Sequence, residues 1–243
     1  MPILEGQGVT KYFGGLAAVF NVDFHVAEGE ALGLIGPNGA GKTTLFNLIS
    51  AAQTPNSGEI RFKGSDITGL APFKICRMGV ARTFQTVKIF ADLPVISNVI
   101  LGSYFGMSPG RSSAEALGEA IECLEFVGLS AAKETVAKDL TLANQKRLEV
   151  ARALATGPEL ILLDEIMAGL TATEVTEAME LVSRIRKRGI TVIMIEHVMK
   201  AIMQVCDRIM VLHHGAKLAE GTPKEIATRK EVIEVYLGKR KHV

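Results

Sequence analysis

Gly36-Pro37-Asn38-Gly39-Ala40-Gly41-Lys42-Thr43-Thr44 follows the apolar run Ala31-Leu32-Gly33-Leu34-Ile35 and fits the pattern G-x-x-x-x-G-K-[ST]. A buried-type strand that turns through glycines into a helix lets successive backbone N–H groups curl toward a polyphosphate. The helix start adds its positive end. The stretch therefore predicts a nucleoside triphosphate site, with Gly36, Pro37, Asn38, Gly39, Ala40 and Gly41 as the cradle. Lys42 would reach the β- and γ-phosphates and Thr43 a Mg²⁺ ion, with Thr44 the last residue of the nucleotide-binding stretch. Purely structural glycines would not require a Lys-Thr pair at this offset after a strand.

Upstream of the loop, residues 3–35 read as short strands broken at Gly14-Gly15, with Glu28-Gly29-Glu30 setting up the strand that enters the loop. Downstream, a helix over Thr44 to Ser50 is followed by a turn at Pro55-Asn56-Ser57-Gly58 and a strand over Glu59 to Phe62. Between about Thr86 and Lys146 the pattern turns helical. Leu117, Ile121 and Leu124 stand at i, i+4 and i+7 as one apolar face, and that helix should stop near Gly128. A further helix runs from Ala143 to Ala155 and is stopped by Gly157-Pro158. Leu160-Ile161-Leu162-Leu163 and Ile190-Thr191-Val192-Ile193-Met194-Ile195 are continuous apolar runs of the parallel, doubly covered type. Val175, Met179, Val182 and Ile185 give one helix face between them. The fold class is α/β: a P-loop NTPase core with a mostly parallel sheet, an antiparallel β edge subdomain and an inserted helical subdomain. Residues 1–243 read as a single domain, with 1–85 and 147–243 as core and 86–146 as the insertion.

Composition narrows the function. Of 243 residues 48% are hydrophobic, enough for an independent core. With 27 Lys and Arg against 26 Asp and Glu the formal charge is +1, so no global field draws the chain onto nucleic acid, which is not an expected partner. Cys76, Cys123 and Cys206 are too few and too scattered for a disulfide framework, which suits a reducing compartment. No apolar segment approaches the roughly 18–20 residues needed to span a bilayer, so the expected location is cytoplasmic, with any membrane work done through a partner. The basic ending Lys239-Arg240-Lys241-His242 reads as a solvated terminus, or as a weak contact with anionic lipid.

Asp164 and Glu165 end the run Leu160 to Leu163, at the strand end where open α/β sheets place ligands. In a phosphate-loop protein the first acid holds Mg²⁺ and the second orients and deprotonates the attacking water. Ile195-Glu196-His197 sets an imidazole at the end of the second buried strand, as a donor or orienting group for the γ-phosphate. Gln85, after Arg82-Thr83-Phe84, sits where the core gives way to the helical insertion and is a candidate contact for Mg²⁺ or the attacking water.

Together these pieces resemble the ATP-binding subunit of an ABC transporter, from Val9 to Gly238. The matching segments are Gly36 to Thr44, Gln85, Leu162-Leu163-Asp164-Glu165, His197 and the helix Lys146 to Leu154. The resemblance implies that Phe13, in Val9-Thr10-Lys11-Tyr12-Phe13-Gly14-Gly15, stacks on adenine, with a core role as the alternative. It also implies that two cassettes close head to tail around two ATP molecules, each borrowing the other's signature loop. Arg82-Thr83-Phe84-Gln85, Phe90, Val95-Ile96-Ser97-Asn98-Val99, Arg147-Leu148-Glu149, Ile195-Glu196-His197 and Val235-Tyr236-Leu237-Gly238 resemble the ATPases of branched-chain amino acid importers in particular. The implied partners are membrane-spanning subunits, a second ATPase (a paralogue or a second copy) and, indirectly, a substrate-binding protein, with the chain on the cytoplasmic face of the membrane. Over Thr86 to Tyr104 the residues Ile89, Phe90, Leu93, Val95 and Ile96 divide between ordinary core and the groove for the transporter's coupling helix.

Two departures from the family pattern stand out. The signature loop, usually Leu-Ser-Gly-Gly-Gln, reads Leu140-Thr141-Leu142-Ala143-Asn144. Thr141 keeps a hydroxyl for a γ-phosphate, while Leu142 and Ala143 carry Cβ atoms that restrict positive-φ conformations and obstruct close backbone approach. After the acid pair, Ile166 replaces the usual Pro and Thr171 the usual Asp. Thr171 with Glu174 has capping-box spacing. The alternative function is accordingly an ATP-binding switch, or the weakly hydrolysing half of a heterodimer.

Overall fold

Residues 2–107 and 110–237 are described by a computed structural model. They begin with two twelve-residue strands, β1 (Pro2–Phe13) and β2 (Leu16–Ala27), which pair antiparallel across Gly14-Gly15. In the second half of β2, Val22, Phe24 and Val26 are buried while Asn21, Asp23 and His25 face out, the period-2 alternation of a half-covered sheet. The apolar run before the phosphate loop is β3 (Ala31–Ile35), buried at every position, and the loop leads into α1 (Lys42–Ile49). Next come β4 (Ser57–Phe62), antiparallel to β1, and the two-residue β5 (Ser65–Asp66). They complete the antiparallel edge sheet in the order β2-β1-β4-β5.

The chain divides into two compact units. Residues up to Ala71 together with those from Thr191 onward form one, and Pro72–Ile190 form the other. The second unit holds α2 (Pro72–Arg77), β6 (Val80–Arg82), α3 (Val95–Phe105), α4 (Ser113–Val127), α5 (Leu142–Leu154), β7 (Leu160–Asp164) and α6 (Ala172–Lys187). β6 and β7 pair in parallel, Arg82 opposite Leu162, and α3, α4 and α5 pack on one another. A capping box between Ser112 and Glu115 starts α4, and Gly128 in the left-handed conformation ends it. The face that α4 buries differs from the one its large residues suggest. Leu117 and Ile121 are each 43% exposed, whereas Ala116, Ala120, Cys123, Leu124 and Val127 form the contact. Small residues let the helix axes approach, so Ala116 and Ala120 join Leu124 on the packed face in place of Leu117 and Ile121.

The first unit resumes with β8 (Thr191–Ile195), α7 (Met199–Val205), β9 (Arg208–His213), β10 (Ala216–Gly221), α8 (Pro223–Thr228) and α9 (Lys230–Leu237). β3 lies between β8 and β9, parallel to both, and β10 adds antiparallel to β9. The apolar runs read as parallel strands are parallel, and the sheets are the mostly parallel core and antiparallel edge of a P-loop NTPase. No helix among the described residues is long and apolar enough to cross a membrane. Gly238 and the basic ending Lys239 to His242 lie outside the described residues.

Candidate functional site

The phosphate loop is shaped by backbone that only glycine adopts. Gly36 has φ 152°, Gly39 78° and Gly41 100°. A Cβ on Gly36 would stand 2.2 Å from the Leu212 carbonyl oxygen, and one on Gly41 2.2 Å from that of Ala18. The loop is wedged between β9 and β2. A hydrogen-bond relay ties it there: Gly215 N–H donates to Ala40 O at 3.1 Å, and Phe20 N–H to Gly215 O at 2.8 Å. Lys42, buried, donates from Nζ to the carbonyls of Gly36 (2.7 Å) and Pro37 (3.0 Å), so the loop curls around its ammonium. No side chain caps the start of α1, where Gly41 is the N-cap, and Thr43 is exposed in the first turn. Uncapped first-turn amides, a lysine ammonium and an open Gly39 whose Cβ would meet nothing within 4 Å make a cradle fitted to a polyphosphate.

Phe13 lies in the same unit, 46% exposed at the end of β1, with Lys11 Nζ 5.6 Å from its ring centre. An exposed ring is available for stacking, which rules out the core role. His197 follows β8 two residues after Ile195, the register partner of Leu34 just before the loop, and is exposed.

The acid pair belongs to the second unit. Asp164, fully buried, ends β7, and its Oδ2 accepts from Arg82 Nη2 at 2.9 Å. Its amide donates to Thr83 Oγ1 at 3.0 Å, and Thr83 N–H continues the ladder to Leu162 O. Breaking so buried a pair by removing one partner costs roughly 3–5 kcal/mol. Arg82 and Thr83, quoted in the sequence only as neighbours of Gln85, are thus what fixes the first acid. Glu165 is held at φ 51°, a conformation that costs a non-glycine residue of order 1 kcal/mol or more, and is 8% exposed. Gln85 Nε2 donates to its Oε2 at 3.0 Å. Gln85, Asp164 and Glu165 are therefore brought to one place. Among the described residues no cluster of three or more His, Cys, Asp or Glu forms a ready metal cage. Within this unit Asp164 and Gln85 offer one carboxylate and one amide oxygen, hard donors that suit a Mg²⁺ arriving with phosphate oxygens.

The signature segment is helical. Thr141 is the N-cap of α5, its Oγ1 accepting from Asn144 N–H at 3.3 Å, while Leu142 and Ala143 are the first two helical residues. Neither is among the positive-φ residues, so the expected conflict between their Cβ atoms and the backbone does not arise in this chain. Ala143 is buried, which leaves its amide in the helix's first turn, and not its side chain, to face an anion. The capping box after the acid pair is formed: Glu174 N–H donates to Thr171 Oγ1, and Thr171 N–H to Glu174 Oε2 at 2.8 Å. These bonds hold the Glu174 carboxyl below its usual range. Replacing Thr171 with alanine is expected to cost about 1 kcal/mol. A thermal melt should read a drop of about 2–4 °C, and an unchanged melt would show that the cap contributes nothing.

In the segment after Gln85 the apolar residues divide. Val95 and Ile96 are buried, whereas Phe90 and Leu93 are 50% and 40% exposed. Phe90 is presented outward by Asn98, which is fully buried and bonds its amide N–H (2.8 Å) and carbonyl (3.0 Å). Two buried charges on α5 carried no role in the sequence. Lys146 Nζ donates to Glu165 O (2.9 Å) and Ala168 O (2.6 Å), and Glu149 Oε1 accepts from the amides of Phe84 and Lys88, both at 3.2 Å. Burial pushes the Glu149 carboxyl above its usual range despite those two amides. Their signal in the sequence is a Lys and a Glu three residues apart, ahead of a turn, Val150 to Leu154, that is apolar except for Arg152.

Comparison with known proteins is consistent along the chain. A model of the ABC transporter family matches residues 19–168, and one of the branched-chain amino acid ATP-binding cassette transporter matches residues 216–242. The chain is 40% identical over 250 residues to the high-affinity branched-chain amino acid transport ATP-binding protein BraF of Pseudomonas aeruginosa, covering 98% of both. It is equally similar, over the same shares, to LivG of Escherichia coli. Among solved structures, the ADP conformation of MJ1267, an ATP-binding cassette of an ABC transporter, superposes with TM-score 0.89 at 30% identity, covering 98% of this chain and 100% of that one. A dimeric post-hydrolysis state of the cassette MJ0796 bound to ADP and Pi superposes with TM-score 0.82 at 27% identity, covering 90% and 98%. With a family model over residues 19–168 and relatives aligned nearly end to end, this chain belongs to the ABC transporter family, as an ATP-binding subunit that hydrolyses ATP to drive transport.

Proposed function

We propose that the chain powers an importer of branched-chain or related amino acids from the cytoplasmic face of the membrane. In this reading it works in a head-to-tail pair with a second ATPase, on membrane-spanning subunits fed by a substrate-binding protein. The observation that carries the choice of solute is the 40% identity with BraF and LivG over 98% of the chain, supported by the family match at residues 216–242 within it.

Phe13 stacks on adenine, and Gly36 to Thr44 hold the phosphates. Thr43, Asp164 and Gln85 are the residues to hold Mg²⁺, which when bound would offset phosphate charge. Glu165 takes the proton of the attacking water, with Gln85 donating to its carboxylate as observed. His197 orients toward the γ-phosphate. Thr141, whose hydroxyl caps α5, and the first-turn amide of Ala143 serve the partner's nucleotide, as expected of a helix N-terminus that carries a hydroxyl. Residues 86–146 form the helical subdomain, with exposed Phe90 and Leu93 as the contact for a membrane subunit.

The test is reconstitution of the chain with its co-purifying membrane subunits and partner ATPase in vesicles holding ATP, with the substrate-binding protein outside. Uptake of labelled leucine, isoleucine or valine that stops on ATP removal is the expected result. Uptake of urea or an amide with none of these amino acids would overturn the solute, and co-purification with ribosomes or DNA the transport reading itself.

A further inference from the structure

Helix α5 fastens the two loops that carry the catalytic side chains of the proposed reading. Lys146 and Glu149 stand three residues apart and so share one face. Both are charged, and both are buried, at 7% and 2% exposure. Lys146 spends its ammonium on main-chain oxygens, those of Glu165 and Ala168 at 2.9 and 2.6 Å. Glu149 likewise takes main-chain amides, Phe84 and Lys88, which bracket Gln85. One turn earlier, Leu142 Cδ2 lies 3.2 Å from where a Cβ on Gly169 would stand, so the start of the helix also packs on the loop after the acid pair.

Stability alone does not account for this arrangement. Taking two charges out of water costs several kcal/mol per ion, and apolar residues of similar volume are often as stable or more so. What the charges add is direction. A charge-assisted hydrogen bond is roughly twice as strong as a neutral one, and in a dry surrounding it holds its partner stiffly. The partners here are the peptide oxygen of Glu165, whose backbone sits at a strained φ of 51°, and the two amides that set the backbone on either side of Gln85. Gln85 in turn donates to the Glu165 carboxylate at 3.0 Å. A shift of about 1 Å in either loop would break that bond, and misplacement on this scale can cost about 100-fold in rate.

We propose that Lys146 and Glu149 are positioning residues: through main-chain bonds to the loops at 165–168 and 84–88, they hold Glu165 and Gln85 in mutual register for hydrolysis. The proposal rests on the reading of Glu165 as the base. Both side chains are buried and bond main-chain atoms of the two loops, so their loss is expected to act on turnover and not on ATP affinity.

The experiment is steady-state ATP hydrolysis by the full chain over a range of protein concentrations, with binding of a fluorescent ATP analogue measured beside it. Lys146→Met and Glu149→Ala are each expected to lower kcat by about tenfold or more, corresponding to ~1.4 kcal/mol on the barrier, with KM and analogue binding within about twofold of wild type. Lys146→Arg keeps a cationic donor and is expected to recover most of kcat, whereas Glu149→Gln keeps the accepting oxygen without its charge and is expected to recover part of it. Should Lys146→Met fail to fold in a thermal melt, Glu149→Asp decides. It keeps the charge, draws the acceptor back by one methylene, and is expected to lower kcat at unchanged KM. Wild-type kcat in a folded Lys146→Met or Glu149→Asp would overturn the proposal. So would a parallel loss of ATP binding that the conservative variants do not rescue. A measurable wild-type rate that Glu165→Gln fully retains would overturn the underlying reading of Glu165 as the base instead.

Discussion

Glu165→Gln is expected to lower ATP turnover by about 10²- to 10⁴-fold, the range for loss of a general base, while ATP binding persists. The substitution is nearly isosteric. The amide can still meet Gln85 and Lys146 still holds the peptide oxygen of residue 165, so the loop keeps its shape and only the proton acceptor is lost. The backbone supports a chemical role for this position. A residue selected for stability at φ 51° would be glycine, yet a buried glutamate stands there, and strain of this kind, of order 1–3 kcal/mol, persists where function requires it. Phosphate release from Mg-ATP, measured against wild type across protein concentrations, checks the prediction. Activity that rises faster than linearly with concentration and vanishes in the variant would mark a self-associating ATPase with Glu165 as base. A variant as active as wild type would remove Glu165 from that role.

Gly36→Ala is expected to abolish the nucleotide site at its root. The new Cβ would stand 2.2 Å from Leu212 O and 3.0 Å from the Ala40 Cβ, in a backbone conformation that L-residues rarely adopt. Backbone strain alone costs roughly 1–3 kcal/mol. The loop escapes the clash only by moving off β9, which takes with it the carbonyl that Lys42 grips and the Gly215 to Ala40 bond. ATP affinity should fall by at least about tenfold, the ~1.4 kcal/mol of one displaced charge-assisted contact, and the melting temperature by several degrees. Gly39→Ala is the control. Its φ of 78° is also strained, but its Cβ meets nothing within 4 Å, so it should cost about 1 kcal/mol of stability without displacing the loop. Equal effects of the two on ATP binding, read by titration with a fluorescent analogue, would show that contact with β9 is not what shapes the loop.

Continuous apolar runs, glycine spacing and residue chemistry were enough, in sequence alone, to fix the α/β class, the phosphate loop between β3 and α1, the acids at the end of β7 and the capping box at Thr171. Each of these depends on local geometry that a few adjacent residues enforce: period, cap and the Cβ-free positions of a turn. Tertiary structure decided what local pattern leaves open. It put alanines and not Leu117 and Ile121 on the packed face of α4, because the area each helix buries depends on how closely its neighbours approach. It buried Val95 and Ile96 while leaving Phe90 and Leu93 exposed, though all four are equally apolar. It made the substitutions at Leu142 and Ala143 unstrained, since the family's glycine positions lie here within a right-handed helix that has no need of glycine. It also gave Arg82, Lys146 and Glu149 their roles, because a charged side chain in a sequence looks solvated until the fold surrounds it. Once water is excluded, such a charge must find partners, and the partners it found here are the Asp164 carboxylate and the main chain of the two loops beside Glu165 and Gln85.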